Sequence, residues 1–254
     1  PRMLVFGAID FAAAVARVGG FLGYHVTVCD ARPVFATTSR FPGADDPQTF
    51  WRDLCGGVDS VREAPADRID RGRWYSPDPR APNKTYCTRG GWLDPIDRFD
   101  AAFFRLSPRE ADMMLPMQRM FLEVAWEALE DAGARATELA GAQVGVFAGL
   151  NSLDHQHRMM RRGLADVDAY TATGNLLSTA SGRISYSFGF EGPCVAIDTA
   201  CSSSLVSVHQ AVQSLRSGES DAAVAGGVNM ILTPAATIGF DTIGAVAKDG
   251  HIKA

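Results

Sequence analysis

No CxxC pair occurs in this chain, and its five cysteines, Cys29, Cys55, Cys87, Cys194 and Cys201, are odd in number. That spacing argues against a disulfide framework and against a zinc site, and it favours a reducing compartment. An excess of positive charge is also missing. The formal net charge is -5 and no basic stripe is interleaved with aromatics, so no nucleic-acid partner is expected. No stretch has the purity of a membrane helix. The longest uncharged run, Ala222 to Phe240, contains Gly226, Gly227, Asn229 and Pro234, which suit a strand and a turn. The opening PRMLVFGAIDFAAAVARVGGFLG has the look of a secretory signal, but Asp10 and Arg17 interrupt its apolar run. A cytoplasmic protein without a membrane segment is expected.

What is present is enough for a full core: 254 residues, of which 46% are hydrophobic and 21% charged. Residues 3–6 and His25 to Cys29 read as strands around an alanine-rich helical stretch, Phe11 to Leu22, which is a βαβ opening of the kind that can bind a dinucleotide. Phe50 to Leu54 reads as a helical turn, and residues 56–98 as a long irregular region rich in Gly, Pro, Asp and Arg. Pro116 to Asp131 is the strongest helix: Met120, Phe121, Val124, Ala125, Ala128 and Leu129 recur at four-residue intervals and Gly133 supplies a stop. Gln143 to Gly149 reads as a buried strand, Thr171 to Phe188 as helical in its middle, Cys194 to Asp198 as a strand, Ser203 to Ser217 as a helix and Ala222 to Met230 as a strand. Alternation of this kind predicts an α/β fold with a mostly parallel sheet covered on both faces.

The segment VAIDTACSSSLVSV, residues 195–208, raises the chemical question, because it places Cys201 where a strand gives way to a helix. Unpaired N–H groups and the positive end of the helix favour a thiolate there, and the same N–H groups can hold an oxyanion. This is the logic of a nucleophile elbow with sulfur in place of oxygen. On corner geometry alone, the other reading is a small, inert core cysteine.

The wider sequence bears on that choice. DTACSSSLVSVH, followed by SLRSGESDAAVAGGVNMILTP, closely resembles the active-site segment of β-ketoacyl synthases, in particular the ketosynthase domains of modular polyketide synthases. The likeness runs from Arg40 to Ala254 and includes RFPGADDPQTFW, GGWLDPIDRFDAAFF, SPREADMM, FLEVAWEALEDAG, VGVFAG and TGNLLSTASGRISYSFGFEGP, in that order. The resemblance implies a thiolase-like layered α/β fold, of which residues 40–254 would be the N-terminal half. It implies that Cys201 accepts an acyl group, as a thioester, from the phosphopantetheine arm of an acyl carrier protein. A carbanion from a decarboxylated malonyl-type thioester then attacks that acyl group. No bound cofactor or metal is implied, and a homodimer through the Cys194–Asp198 strand is.

The family also uses two histidines, in motifs resembling HGTGT and NIGH, and a second oxyanion N–H, all from the C-terminal half; this chain ends at GHIKA before them. Full condensation by the chain alone is therefore not expected. His209 lies eight residues past Cys201, about 12 Å along a helix, too far for direct contact. His155 and His157 form an HxH pair without a third metal ligand nearby, and His251 is expected to fray with the last residues. The family's acidic residue ahead of Pro-x-Gln-Arg is here Leu115, which removes a helix cap worth about 1 kcal/mol.

Residues 1–42 resemble a different family, the nucleotide-binding segment of xanthine dehydrogenase accessory proteins, and the two likenesses meet at Arg40-Phe41-Pro42. This implies a fusion, with a Rossmann-like βαβ remnant over 1–39 that would lack the sheet partners of its parent. Gly7 and Ala12 match the outer positions of a dinucleotide fingerprint and Asp30 stands where a ribose-binding acid would. Ile9 replaces the middle glycine and Asp10 follows it, so a side chain and a negative charge meet the pyrophosphate. The alternatives to an acyltransferase are thus a non-catalytic, truncated or fused remnant and a nucleotide-binding accessory protein.

Overall fold

The computed structural model describes residues 2–6, 25–29, 42–44, 47–151, 154–160 and 167–251. Its strands are β1 (Arg2–Phe6), β2 (His25–Cys29), β3 (Arg62–Glu63), β4 (Arg89–Gly90), β5 (Val144–Gly149), β6 (Cys194–Ile197) and β7 (Ala222–Gly227). Its α-helices are α1 (Pro47–Gly56), α2 (Arg71–Trp74), α3 (Pro108–Met113), α4 (Pro116–Asp131), α5 (Ala136–Leu139), α6 (Asp154–Met160), α7 (Ala169–Asn175), α8 (Ser178–Phe188), α9 (Ser203–Ser217) and α10 (Ala235–Thr242). The helical stretch read at Phe11 to Leu22 lies outside the described residues. Two compact units divide the chain, the first within Pro1–Ala36, Asp97–Asn151 and Leu164–Asn229, the second within Thr37–Ile96, Ser152–Gly163 and Met230–Ala254.

In the first unit, β2, β1, β7, β5 and β6 form a sheet in that order, and each pairing is parallel. Parallel strands need cover on both faces, which β5 illustrates, being buried at all six positions. Phe147, Ala223 and Ala225 meet Val208, Ala211 and Leu215 of α9, three residues spaced so that one stripe of the helix faces the sheet. Burying a side chain such as Leu215 contributes about 1.5–3 kcal/mol. Strand alternation sends Val144, Val146 and Ala148 to the opposite face, where they too are buried. Helix α8 lies against β5 and β6, and α4 packs on α8. The N-terminal strands, expected without the sheet partners of their parent, find a different partner in β7. Arg2 to Val5 pair with Ala222 to Ala225, because an extended run finds main-chain donors and acceptors on the open side of β7.

Helix α4 spans the range its periodicity predicts, with Pro116 in the first turn and Gly133 just past its end at φ 66. Leu115 offers no side-chain cap, yet it is fully buried and its N–H donates to the Gly174 carbonyl at 2.9 Å. The cap is absent as expected, and burial of the leucine, at about 1.5–3 kcal/mol, offsets the loss of about 1 kcal/mol. Thr171 to Phe188, read as helical in its middle, is instead broken there, at Leu176 and Leu177, between α7 and α8. At the break, Gln118 Nε2 donates to the Leu176 carbonyl and to Thr179 Oγ1, each at 2.9 Å.

The second unit is built on polar clasps. Arg68 is buried, donates to the Leu93 carbonyl and to Asp94, and lies over the Trp92 ring. Arg62 also bonds Asp94. Asp154 accepts from the N–H groups of Leu232 and Thr233, at 3.0 and 2.9 Å, and from Thr233 Oγ1 at 3.0 Å. Tyr86 ties the 85–87 segment to the end of the chain, its N–H donating to Asp241 and its hydroxyl to the Val246 carbonyl. The region read as irregular, 56–98, is mostly so, and holds only β3, β4 and α2. Among the described residues, no helix is long and apolar enough to cross a membrane.

Candidate functional site

Strand β6 ends at Ile197, whose carbonyl accepts from Leu150 N–H at 3.1 Å. Asp198 and Thr199 turn the chain, Ala200–Ser202 form one 3-10 turn, and α9 begins at Ser203. Cys201 sits on that turn with its side chain exposed. The core-cysteine alternative is thereby set aside on exposure.

Ala200, directly before the cysteine, has φ 55. A non-glycine residue pays roughly 1–2 kcal/mol for this left-handed conformation, so something must hold it. Asp198 Oδ1 accepts from the Ala200 N–H at 3.0 Å. Ser203 Oγ donates to the Ala200 carbonyl at 2.7 Å and accepts from the Thr199 N–H at 2.9 Å. Ser202 Oγ donates to the Thr199 carbonyl at 2.8 Å, and stands 2.9 Å from Thr199 Oγ1. The turn is therefore bonded on both sides of Cys201. Ser202 gives α9 no side-chain cap, and the N–H groups of Ser202 and Ser203 donate instead to the Thr199 and Ala200 carbonyls of the 3-10 turn. An exposed thiol at the start of a helix can attack a carbonyl, and the positive end of the helix favours the thiolate that does so.

Of the histidines whose side chains are described, His209 alone shares a unit with Cys201, and it is exposed on α9. His155 is half-buried and His157 exposed on α6, and no group of three metal-ligating side chains occurs among the described residues. His251 does not fray as expected. Its Nε2 lies 2.8 Å from Asp59 Oδ2, and that hydrogen bond holds the Asp59 carboxyl below its ordinary range. Gly7, Ala12 and Asp30 lie outside the described residues. Strand β6 is at the edge of the sheet, with Cys194 and Val195 exposed.

Sequence reasoning missed Ala200, Asp198 and Ser203 as the frame of the site. A positive φ at alanine leaves no trace in sequence. The run of three serines does carry a signal, since a hydroxyl three residues after a turn residue can reach back to its carbonyl.

The chain is similar to known proteins over most of its length. The model of the family described as "Beta-ketoacyl synthase, N-terminal domain" matches residues 33–254. Pikromycin polyketide synthase component PikAII of Streptomyces venezuelae is 49% identical over 217 residues, which is 85% of this chain and 6% of that protein. Polyketide synthase GfsB of Streptomyces halstedii is 46% identical over 223 residues, 87% of this chain and 4% of that one. Among solved structures, the oxazolomycin ketosynthase domain OzmH KS7 of Streptomyces albus JA3453 superposes with a TM-score of 0.76 at 41% identity, covering 83% of this chain and 37% of its own. The ketosynthase from module 6 of the bacillaene synthase of Bacillus subtilis 168 gives 0.72 at 36% identity, covering 83% and 34%. The chain thus spans a small part of the synthases it matches and about 37% of a ketosynthase structure.

Proposed function

Because the chain belongs to the β-ketoacyl synthase family, as the N-terminal part of a ketosynthase domain of the modular polyketide synthase type, we propose that Cys201 is its acyl-accepting nucleophile. The thiolate attacks the carbonyl of an acyl thioester carried on the phosphopantetheine arm of an acyl carrier protein. A carbon–sulfur bond forms to Cys201, the bond to the pantetheine sulfur breaks, and the free pantetheine thiol leaves. In the condensation that follows, a malonyl-type thioester loses carbon dioxide. The resulting carbanion attacks the acyl carbon and returns the Cys201 thiolate. We assign the loading half-reaction to this chain, and the histidines that support decarboxylation to residues outside it.

The observation that supports this most is the exposed thiol of Cys201 on a turn held by Asp198 and Ser203, directly ahead of an uncapped helix. The open edge of β6, with Val195 exposed, supports a homodimer in which two Cys194–Asp198 strands pair. A cytoplasmic setting fits a thiol that must stay reduced. We also divide the chain at residue 39, near where the family match begins at residue 33, although polyketide synthase relatives cover 94% of the chain and reach further toward its start.

Incubation with an acyl pantetheine thioester tests the proposal. Intact mass should rise by one acyl group, hydroxylamine should remove it as it removes thioesters, and Cys201→Ala should take up none. Equal uptake by Cys201→Ala contradicts it.

A further inference from the structure

Gly149 ends β5 and Gly227 ends β7, and the two are partners on the last rung of their ladder. A Cβ on Gly149 would stand 2.8 Å from the Ser203 carbonyl carbon, 2.9 Å from Ser204 N and 3.0 Å from the Ser203 oxygen. A Cβ on Gly227 would stand 2.7 Å from Ser204 Cβ and 3.2 Å from Ser204 Cα. Neither glycine has a positive φ, so the demand at both positions is for space and not for an unusual backbone. The first turn of α9 rests directly on the bare main chain of two adjacent strand ends.

We infer that Gly149 and Gly227 form a seat that fixes how far α9 settles onto the sheet, and thereby position the sulfur of Cys201. The inference rests on the reading of Cys201 as the acyl acceptor. Ser203 and Ser204 occupy the seat. Ser203 Oγ is bonded to the Ala200 carbonyl and the Thr199 N–H, so a shift of Ser203 carries the Cys201 turn with it. Restoring an ordinary carbon contact at Gly149 requires a displacement of roughly 0.7 Å. Misplacement of reacting groups by about 1 Å can cost about 100-fold in rate. The two glycines are positioning residues that act through Ser203 and Ser204.

The two positions differ in what a methyl group would strike. At Gly149 the nearest atoms are backbone, so no side-chain truncation on α9 makes room. At Gly227 the nearest atom is Ser204 Cβ, and Ser204→Gly removes it.

The test uses the full chain and four variants: Gly149→Ala, Gly227→Ala, Ser204→Gly and the pair Gly227→Ala with Ser204→Gly. Alkylation of Cys201, Cys55 and Cys194 by iodoacetamide is followed peptide by peptide across a pH series. Hydrogen exchange is measured over residues 198–206 as a readout independent of sulfur chemistry. Each single alanine variant should lower the rate of Cys201 relative to Cys55 by about ten-fold or more and change its pH profile. Exchange over 198–206 should rise, and Cys55 and Cys194 should keep their rates. Ser204→Gly should return Gly227→Ala to the ratio of Ser204→Gly alone. The seat is overturned if both alanine variants keep the wild-type ratio and exchange, or if Ser204→Gly fails to restore Gly227→Ala. Should Gly149→Ala not fold, the Gly227 and Ser204 variants decide alone. If wild-type Cys201 reacts no faster than Cys55, the acyl-acceptor reading fails, and the exchange measurement still decides the seat.

Discussion

Ser203 Oγ lies 2.7 Å from the Ala200 carbonyl oxygen, to which it donates, and 2.9 Å from the Thr199 nitrogen, from which it accepts. One buried hydroxyl thus holds the peptide after left-handed Ala200 and, further back, the N–H of Thr199. Ser203→Ala should cost about 1–2 kcal/mol, since it removes two hydrogen bonds to main-chain groups of the turn, while the Ser203 N–H still donates to the Ala200 carbonyl. Ala200→Gly removes a left-handed penalty of roughly 1–2 kcal/mol and should offset much of that loss in the double variant. Urea denaturation of the two singles and the double checks this. A Ser203→Ala variant as stable as wild type would count against the clamp.

Two ion pairs of unequal burial should differ in worth. Arg183 Nη1 meets Glu110 Oε1 at 2.7 Å with side chains 11% and 22% exposed. Arg109 Nη2 meets Asp168 Oδ2 at 2.9 Å with side chains 51% and 35% exposed. Arg183→Met leaves a largely buried carboxylate alone and should cost about 3–5 kcal/mol. Arg109→Met should cost no more than about 1 kcal/mol. Chemical denaturation of both variants gives the ranking, and equal losses would contradict it.

Leu115 stands at the cap position of α4 but acts as core, being fully buried. Leu115→Ala should therefore cost about 2–5 kcal/mol, as for a large-to-small change in a packed interior. A loss of a few tenths, of the size expected at an exposed cap, would contradict the assignment. Thermal melting with a matched urea titration measures it.

The second unit should respond to pH through Asp241. Burial raises its carboxyl above the usual carboxylate range, while Tyr86 N–H donates to it at 3.1 Å. A raised carboxyl favours the protonated form in the folded state. Its contribution is fully present below the ordinary, unfolded value and is lost as pH rises through the raised, folded one. Asp241→Asn keeps an acceptor for Tyr86 and removes the charge. The variant should melt above wild type at neutral pH, and the two should converge in acid. A gap that widens in acid would contradict this sign.

Much of this architecture was legible where local chemistry decides it. Pro116 to Asp131 shows its extent because proline, a four-residue apolar interval and Gly133 all act within the segment. Ser203–Ser217 is equally legible, with Gly218 closing it at φ 75. The features that escaped depend on partners distant in sequence. At the helix break, the Leu176 carbonyl accepts from Gln118, 58 residues away, as well as from nearby Thr179. His251 is held by Asp59 across 192 residues. At the site, the motif around Cys201 marked the residue but not its frame, because the left-handed Ala200 and the space above Gly149 and Gly227 exist only once strand and helix have met.

The most direct test of the central claim compares cysteines within one molecule. Cys55, Cys194 and Cys201 are all exposed, so exposure alone predicts similar labelling by a limiting amount of acyl pantetheine thioester. Peptide mapping by mass spectrometry should find the acyl group on Cys201 in large excess over the other two. An even distribution among the three would contradict an acyl-accepting role for Cys201.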